Sequence, residues 1–334
     1  MKTEGLPNVQ ITAYEVRDDE KKLIEKFEKE LAIKIVSTKR ALSEGTLHLA
    51  EGSNAITTLG QSQLNASMLE KLQVIKIKCI STRTIGYNHI DVKAAEKLGI
   101  KVCNATYDPN GVADYSVMLI LMLLRRYKQA MFRANVNDYS LEGLQGREMK
   151  DLTIGVVGTG NIGSHVIENL SGFGCRILAY NKSINPKAAE KATYVSLDEL
   201  YEQSDIISFH LPLTDSTYKM VNRSTLAQMK NGVMLINTAR GELMDFEDII
   251  EGIENHKIGA LGLDVFENEH GIYHHDRRND IISNKDMAYI RQFPNVIMTQ
   301  HIAFYTDTAV ESMVSSALNG IIEVLTTGSS KHEV

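Results

Sequence analysis

The stretch Thr153-Ile154-Gly155-Val156-Val157-Gly158-Thr159-Gly160-Asn161-Ile162-Gly163 constrains this chain more than any other. An apolar, β-branched run ends in Gly158, Gly160 and Gly163, spaced Gly-x-Gly-x-x-Gly, and apolar residues at helical spacing follow (Ile162, Val166, Ile167, Leu170). Strand, tight turn and helix in that order suit a dinucleotide. The first glycine permits the turn, the second admits a pyrophosphate against the backbone, and the third lets the helix close on the strand. The helix N-terminus adds unpaired N–H groups and a positive dipole end. A glycine-rich turn that binds nothing is the plainer alternative. The stretch also lies near mid-chain, so much sequence precedes it.

That leading sequence carries a pattern of its own. Apolar strand candidates fall at residues 9–13, 33–36, 55–58, 74–80 and 100–103, with helix-like stretches at 19–31, 43–50, 65–72 and 91–98. Strands alternating with helices predict a parallel sheet covered on both faces. Pro109-Asn110-Gly111 breaks the series, and residues 112–135 then read as one long helix. The second series places strands at 153–157, 176–180, 206–210, 233–237, 260–264 and 296–299, six in all. Its helices fit 162–173, 197–203, 223–229 and 246–255, and a last helix fits 308–325, with a polar, frayed tail at 328–334.

The second series closes near residue 300 while a substantial helix remains, and the first series has no glycine fingerprint. Insertion of one domain into the other explains both facts. The expected architecture is α/β, with two doubly wound parallel-sheet domains. A Rossmann nucleotide-binding domain (105–301) is inserted into a flavodoxin-like substrate domain (1–104 and 302–334), with a cleft between them.

At 334 residues the chain has room for two such domains, and its 43% hydrophobic and 23% charged content is that of a globular protein with ample core. A net charge of -6 argues against nucleic acid or an anionic membrane as partner. Cys79, Cys103 and Cys175 are scattered without a CxxC spacing, which predicts free thiols in a reducing cytoplasm. The longest apolar run, 117–124, is far short of a membrane span, and no signal-peptide core precedes it.

Three polar residues follow apolar runs of the second series, where a doubly wound sheet presents ligands. Arg240 ends Ile236-Asn237-Thr238-Ala239-Arg240, Glu269 follows Leu263-Asp264-Val265-Phe266, and His301 follows Val296-Ile297-Met298-Thr299-Gln300. Each has a plain reading alone: a surface arginine, a solvated loop glutamate, a structural histidine. Together they supply what reduction of a 2-oxoacid needs. Hydride addition to a keto carbon builds negative charge on oxygen, and a histidine donates the proton. A carboxylate orients the imidazole and favours its charged form. A guanidinium grips the substrate carboxylate and polarises the carbonyl.

With these residues in view the chain resembles the D-isomer-specific 2-hydroxyacid dehydrogenases over nearly its whole length. The resemblance is carried by Gly158-Thr159-Gly160-Asn161-Ile162-Gly163, Asn237-Thr238-Ala239-Arg240-Gly241, Leu263-Asp264-Val265 with Glu269, and His301-Ile302-Ala303-Phe304-Tyr305-Thr306. Within the family it looks closest to the D-lactate dehydrogenases of the vancomycin-resistance (VanH) type, through Ile80-Ser81-Thr82-Arg83-Thr84-Ile85-Gly86-Tyr87-Asn88-His89-Ile90-Asp91 and Val112-Ala113-Asp114-Tyr115. The resemblance implies Arg240 as substrate anchor, Glu269 as partner of the histidine and His301 as acid/base. It implies that backbone at Ile85 and Gly86, with the Tyr107 hydroxyl, holds the substrate carboxylate. It implies cofactor contacts at Gly158, Gly160, Asn161, Ile162, Gly163, Pro212, Thr217, Thr238, Ala239 and Asp264, and a homodimer with the helix after Pro109 at its interface. Pyruvate is the first substrate expected, giving D-lactate. Larger 2-oxoacids (2-oxoisocaproate, phenylpyruvate) are the alternative, in a pocket involving Tyr87, Tyr107 and Phe304. A non-catalytic dinucleotide sensor is the alternative of a different class.

Two departures from the family pattern matter. Many members carry an acidic residue at the end of the second nucleotide-domain strand, where it binds the adenosine ribose. Here Asn181 and then Lys182 stand there. Loss of the carboxylate removes repulsion against a 2′-phosphate, so NADP(H) is expected to be accepted beside NAD(H). Gln300 replaces the usual proline before His301, which removes a φ restraint. His270, His274 and His275 near Asp276 lack zinc-ligand spacing and read as a polar surface insertion, with no metal expected. His89 and His210 read as structural.

Overall fold

A computed structural model describes residues 9–334. The chain forms two compact units. One runs through Asp108 and resumes over Tyr305–Val334; the other is the continuous segment Pro109–Phe304. In chain order the first unit supplies β1 (Gln10–Ala13), α1 (Asp18–Leu31), β2 (Lys34–Ser37), β3 (Ala55–Thr58), α2 (Ala66–Val74), β4 (Cys79–Thr82), α3 (Val92–Lys97) and β5 (Lys101–Asn104). The second opens with α4 (Asn110–Leu124), α5 (Tyr127–Asn135), β6 (Thr153–Val157), α6 (Asn161–Ser171) and β7 (Arg176–Tyr180). It continues with α7 (Pro186–Ala189), β8 (Thr193–Tyr194), α8 (Leu197–Gln203), β9 (Ile206–Phe209), α9 (Arg223–Gln228) and β10 (Val233–Asn237). It closes with α10 (Phe246–Glu254), β11 (Ile258–Leu263), α11 (Lys285–Ile290) and β12 (Val296–Met298), after which α12 (Asp307–Thr327) returns to the first unit.

The first unit's sheet is parallel, in the order β2-β1-β3-β4-β5. Ile11, Ala13, Ile35, Ala55, Cys79 and Cys103 bury one face under α1 and α12, including Val314, Leu318 and Ile321. Ile56, Ile80 and Val102 bury the other under α2 and α3. The second unit's sheet is also parallel and runs β12-β11-β10-β9-β6-β7-β8. Residues alternate across it. Ile154, Val156, Met234 and Ile236 pack under α4 and α6, whereas Val157, Val233 and Leu235 pack with residues of α8 to α11. Covering both faces explains why its strands read as unbroken apolar runs. Strand order reverses between β6 and β9, and ligands of such sheets bind outside the carboxyl ends at that point.

Several expected elements come out differently. The long helix over 112–135 is two helices, because Arg126 takes a left-handed φ of +50° between α4 and α5. The helix over 43–50 shrinks to a short 3-10 turn at Leu47–Ala50. There the Thr46 hydroxyl bonds Ala41 O and receives Ser43 N, which competes with helical pairing. The strand over 74–80 starts only at Cys79; Val74 still belongs to α2 and is 78% exposed. The second sheet has seven strands rather than six, β8 being the added edge. The tail is docked, not frayed: Asn104 N–H donates to His332 O at 3.0 Å and Val334 N–H to Val102 O at 3.1 Å. Lys101 and Glu333 pair at 2.8 Å beside them.

Candidate active site

The glycine turn leaves β6 at Val157. Gly158 has φ +93°, a left-handed conformation open to glycine, and a Cβ there would meet His210 O at 2.4 Å. A Cβ at Gly163 would stand 1.9 Å from Gly158 O, so the close seat of α6 on the strand requires glycine. Gly160 differs: a Cβ there would meet nothing within 4 Å. Gly160 is also the N-cap of α6 and puts no side chain over its first turn. Open backbone at Gly160 and an uncapped start at Asn161 and Ile162 fit a pyrophosphate. Asn185 Nδ2 donates to Thr159 O at 2.9 Å and Tyr194 OH bonds Thr159 Oγ1 at 2.7 Å. The short elements missed in the sequence, α7 with its N-cap Asn185 and β8, therefore brace the turn.

At the end of β7, Asn181 is half-buried and its Nδ2 donates to Ser183 O at 3.0 Å. Lys182 is exposed, with no hydrogen bond or ion pair among the described residues. After β9, Pro212 O accepts from Thr217 Oγ1 at 2.7 Å. Thr238 is buried and its Oγ1 bonds Ser116 Oγ at 2.8 Å, while Ala239 N–H donates to Asn237 Oδ1 at 3.0 Å.

Three neighbouring strand ends step toward one another. Asp264 N–H donates to Asn237 O at 3.0 Å, and His301 N–H donates to Asp264 O at 2.7 Å. Asn237 Nδ2 also holds Arg240 O at 2.8 Å. The Asp264 carboxylate is buried and receives Thr299 Oγ1 at 2.6 Å, Ile302 N–H at 2.9 Å and Ala303 N–H at 2.8 Å. Burial outweighs these donors and raises its pKa above the usual aspartate value. Both its oxygens are engaged by the loop that carries His301.

His301 stands at φ +56°, and its Nδ1 is hydrogen-bonded to Glu269 Oε1. The second Glu269 oxygen accepts Phe266 N–H at 2.8 Å. The Arg240 loop lies on this segment, since a Cβ at Gly241 would meet Phe266 C at 2.1 Å and Glu267 N at 2.3 Å. Arg240 is half-buried; its Nη1 donates to Ala239 O at 2.6 Å, and it has no carboxylate partner among the described residues. A carboxylate on Nδ1 sets the tautomer and leaves Nε2 for a ligand oxygen.

Two neighbours were missed by the sequence reading, which took them for part of a surface insertion. His274 Nε2 donates to His301 O at 3.0 Å. The rings of His274, His301 and Phe304 lie pairwise 6.3 Å apart. The Tyr273 hydroxyl is buried without a hydrogen-bond partner among the described residues, and burial, then Glu269 and Asp264, push its pKa up. Among the described residues, no three His, Cys, Asp or Glu side chains converge as metal ligands.

Ile85, Gly86 and Tyr107 belong to the first unit. Asn104 Nδ2 holds Ile85 O at 2.8 Å and Thr84 Oγ1 holds Gly86 O at 2.6 Å. The Ile85 and Gly86 N–H groups have no partner among the described residues. Arg83, fully buried, bonds Glu20 at 2.8 Å and braces the start of this loop.

Comparison with known proteins gives the family. Residues 117–303 match the family model of the D-isomer specific 2-hydroxyacid dehydrogenase NAD binding domain. The chain is 41% identical over 327 residues to an aromatic 2-oxoacid reductase from Clostridium sporogenes, covering 97% of this chain and 99% of that one. It is 36% identical over 315 residues to the D-lactate dehydrogenase of Escherichia coli, covering 94% and 96%. A solved NAD-complexed D-isomer specific 2-hydroxyacid dehydrogenase from Lactobacillus delbrueckii ssp. bulgaricus superposes with a TM-score of 0.85 at 31% identity, over 98% of this chain and 100% of the other. No helix among the described residues is long and apolar enough to cross a membrane. The chain belongs to the D-isomer-specific 2-hydroxyacid dehydrogenases, which use NAD(H) to interconvert 2-oxoacids and D-2-hydroxyacids.

Proposed function

We propose that this chain reduces a 2-oxoacid with His301 as the proton donor, Glu269 as its partner and Arg240 as the substrate anchor. The observation that carries the proposal is the His301–Glu269 hydrogen bond at the end of the β10-β11-β12 strand ladder. NADH, when bound along the Gly158–Gly163 turn, supplies the hydride. Glu269 orients the imidazole through Nδ1, and the Nε2–H donates to the keto oxygen as charge develops there. The Arg240 guanidinium, which has no carboxylate partner among the described residues, takes the substrate carboxylate. The family resemblance assigns substrate binding also to the Ile85 and Gly86 N–H groups, unpaired among the described residues, and to the Tyr107 hydroxyl. Free thiols at Cys79, Cys103 and Cys175 support a cytoplasmic location.

Pyruvate is the smallest substrate in this scheme. A second reading, an aromatic 2-oxoacid such as phenylpyruvate, is favoured by the relative at 41% identity. The exposed Lys182 beside Asn181 supports use of NADPH as well as NADH. One assay addresses these points: kcat/KM for pyruvate, 2-oxoisocaproate and phenylpyruvate with each cofactor. A lead of about tenfold, or 1.4 kcal/mol, for phenylpyruvate selects the aromatic reading, and the reverse selects pyruvate. NADPH more than about tenfold below NADH discards the role given to Lys182. No turnover with any of the three acids overturns the catalytic proposal in favour of a sensor.

A further inference from the structure

The loop after β11 holds His301 twice. One hold is the Glu269 carboxylate on Nδ1. The other is His274, whose Nε2 donates to the His301 carbonyl at 3.0 Å. A single turn delivers both, since Ile272 N–H and Tyr273 N–H each donate to Glu269 O at 3.0 Å. We propose that His274 is a positioning residue, fixing the left-handed backbone of His301 from its carbonyl side so that the imidazole stays on Glu269. The inference rests on the acid/base role assigned to His301 above.

A left-handed residue other than glycine keeps that conformation only where its surroundings over-determine it. On the amino side, His301 N–H is tied to Asp264 O at 2.7 Å. Beyond it, Ile302 and Ala303 N–H are tied to the Asp264 carboxylate at 2.9 and 2.8 Å. The His301 carbonyl lies outside this arrangement, and among the described residues its one donor is His274. Ile302 N–H, on the same peptide, stays on Asp264, so loss of the His274 donor releases the carbonyl side of that peptide alone and leaves the left-handed backbone of His301 held less tightly. The contact survives ionisation of His274, because the neutral Nε2–H tautomer and the imidazolium both donate.

The test compares kcat and KM for wild type, His274→Phe and His274→Gln, with NADH and the best 2-oxoacid of the panel. Phenylalanine keeps a ring without a donor; glutamine keeps an N–H at similar reach. His274→Phe is expected to lose roughly tenfold in kcat, within what an ångström of misplacement costs, with KM nearly unchanged. His274→Gln is expected to stay near wild type. Unchanged kcat in His274→Phe, a rise in KM in place of the fall in kcat, or an equal fall in His274→Gln overturns the proposal. His301→Ala is the control, with an expected loss of about 10²–10⁴ in kcat. Near-normal turnover there overturns the acid/base assignment and this inference with it. An inactive His301→Ala beside an unaffected His274→Phe overturns this inference alone.

Discussion

His210 and His301 are both histidines at strand ends of one sheet, yet their surroundings differ. His301 faces a carboxylate. Among the described residues the His210 ring has the Ser208 hydroxyl as its partner, 2.8 Å from Nε2, and burial lowers its pKa to about 4. The unfolded chain takes up this proton near pH 6.5, whereas the folded chain resists until about pH 4. Between those values the unfolded state binds more protons, so stability falls as pH drops and is fully present above pH 6.5. The loss between pH 7 and 5 is on the order of 2 kcal/mol. Denaturant melts at the two pH values check this: His210→Asn should lose about that much less than wild type. Sequence reading singled out Arg240, Glu269 and His301 because each follows an apolar run with the right charge. It passed over His274, because a histidine in a polar loop carries no periodic signal and its partner is a backbone carbonyl.

Among the elements, the β6 turn and α6 were the most legible, since glycine spacing and apolar periodicity agree there. The two glycines at their junction serve different ends, and alanine substitution separates them. Gly163→Ala places a methyl against Gly158 O and is expected to lower Tm by several degrees. Gly160→Ala adds a methyl to open space, so Tm should hold while KM for NADH rises. Loss of stability in Gly160→Ala, or unchanged KM, would remove it from the pyrophosphate cradle. What the sequence hid was short or locally decided. β8 has two residues and α7 four, too few for a period to register. The break between α4 and α5 is a single left-handed Arg126 with no glycine or proline to announce it.

For the molecule as a whole, insertion of one α/β series into another was legible from two facts, a fingerprint at mid-chain and a helix left over after the second series. The chain passes from one unit to the other at Asp108/Pro109 and again at Phe304/Tyr305. Self-association is the expectation at this scale. Phe132 is 71% exposed, Tyr139 76% and Leu141 84%, a run of apolar side chains on and after α5 that water alone does not favour. Mass measured by light scattering should be twice that of the chain, and Phe132→Glu should shift it toward the monomer. A monomeric wild type would refute the homodimer.

The first unit's construction also sets a timetable. Its core includes Val314, Leu318, Ile321 and Val324, and its β5 edge is completed by His332 and Val334. On a ribosome, the strands through Asn104 emerge early but wait for the rest of the chain. The continuous segment Pro109–Phe304 has all its own strands in hand before α12 is made. The second unit can therefore fold during synthesis, while the first, though it is translated first, is the last to be finished.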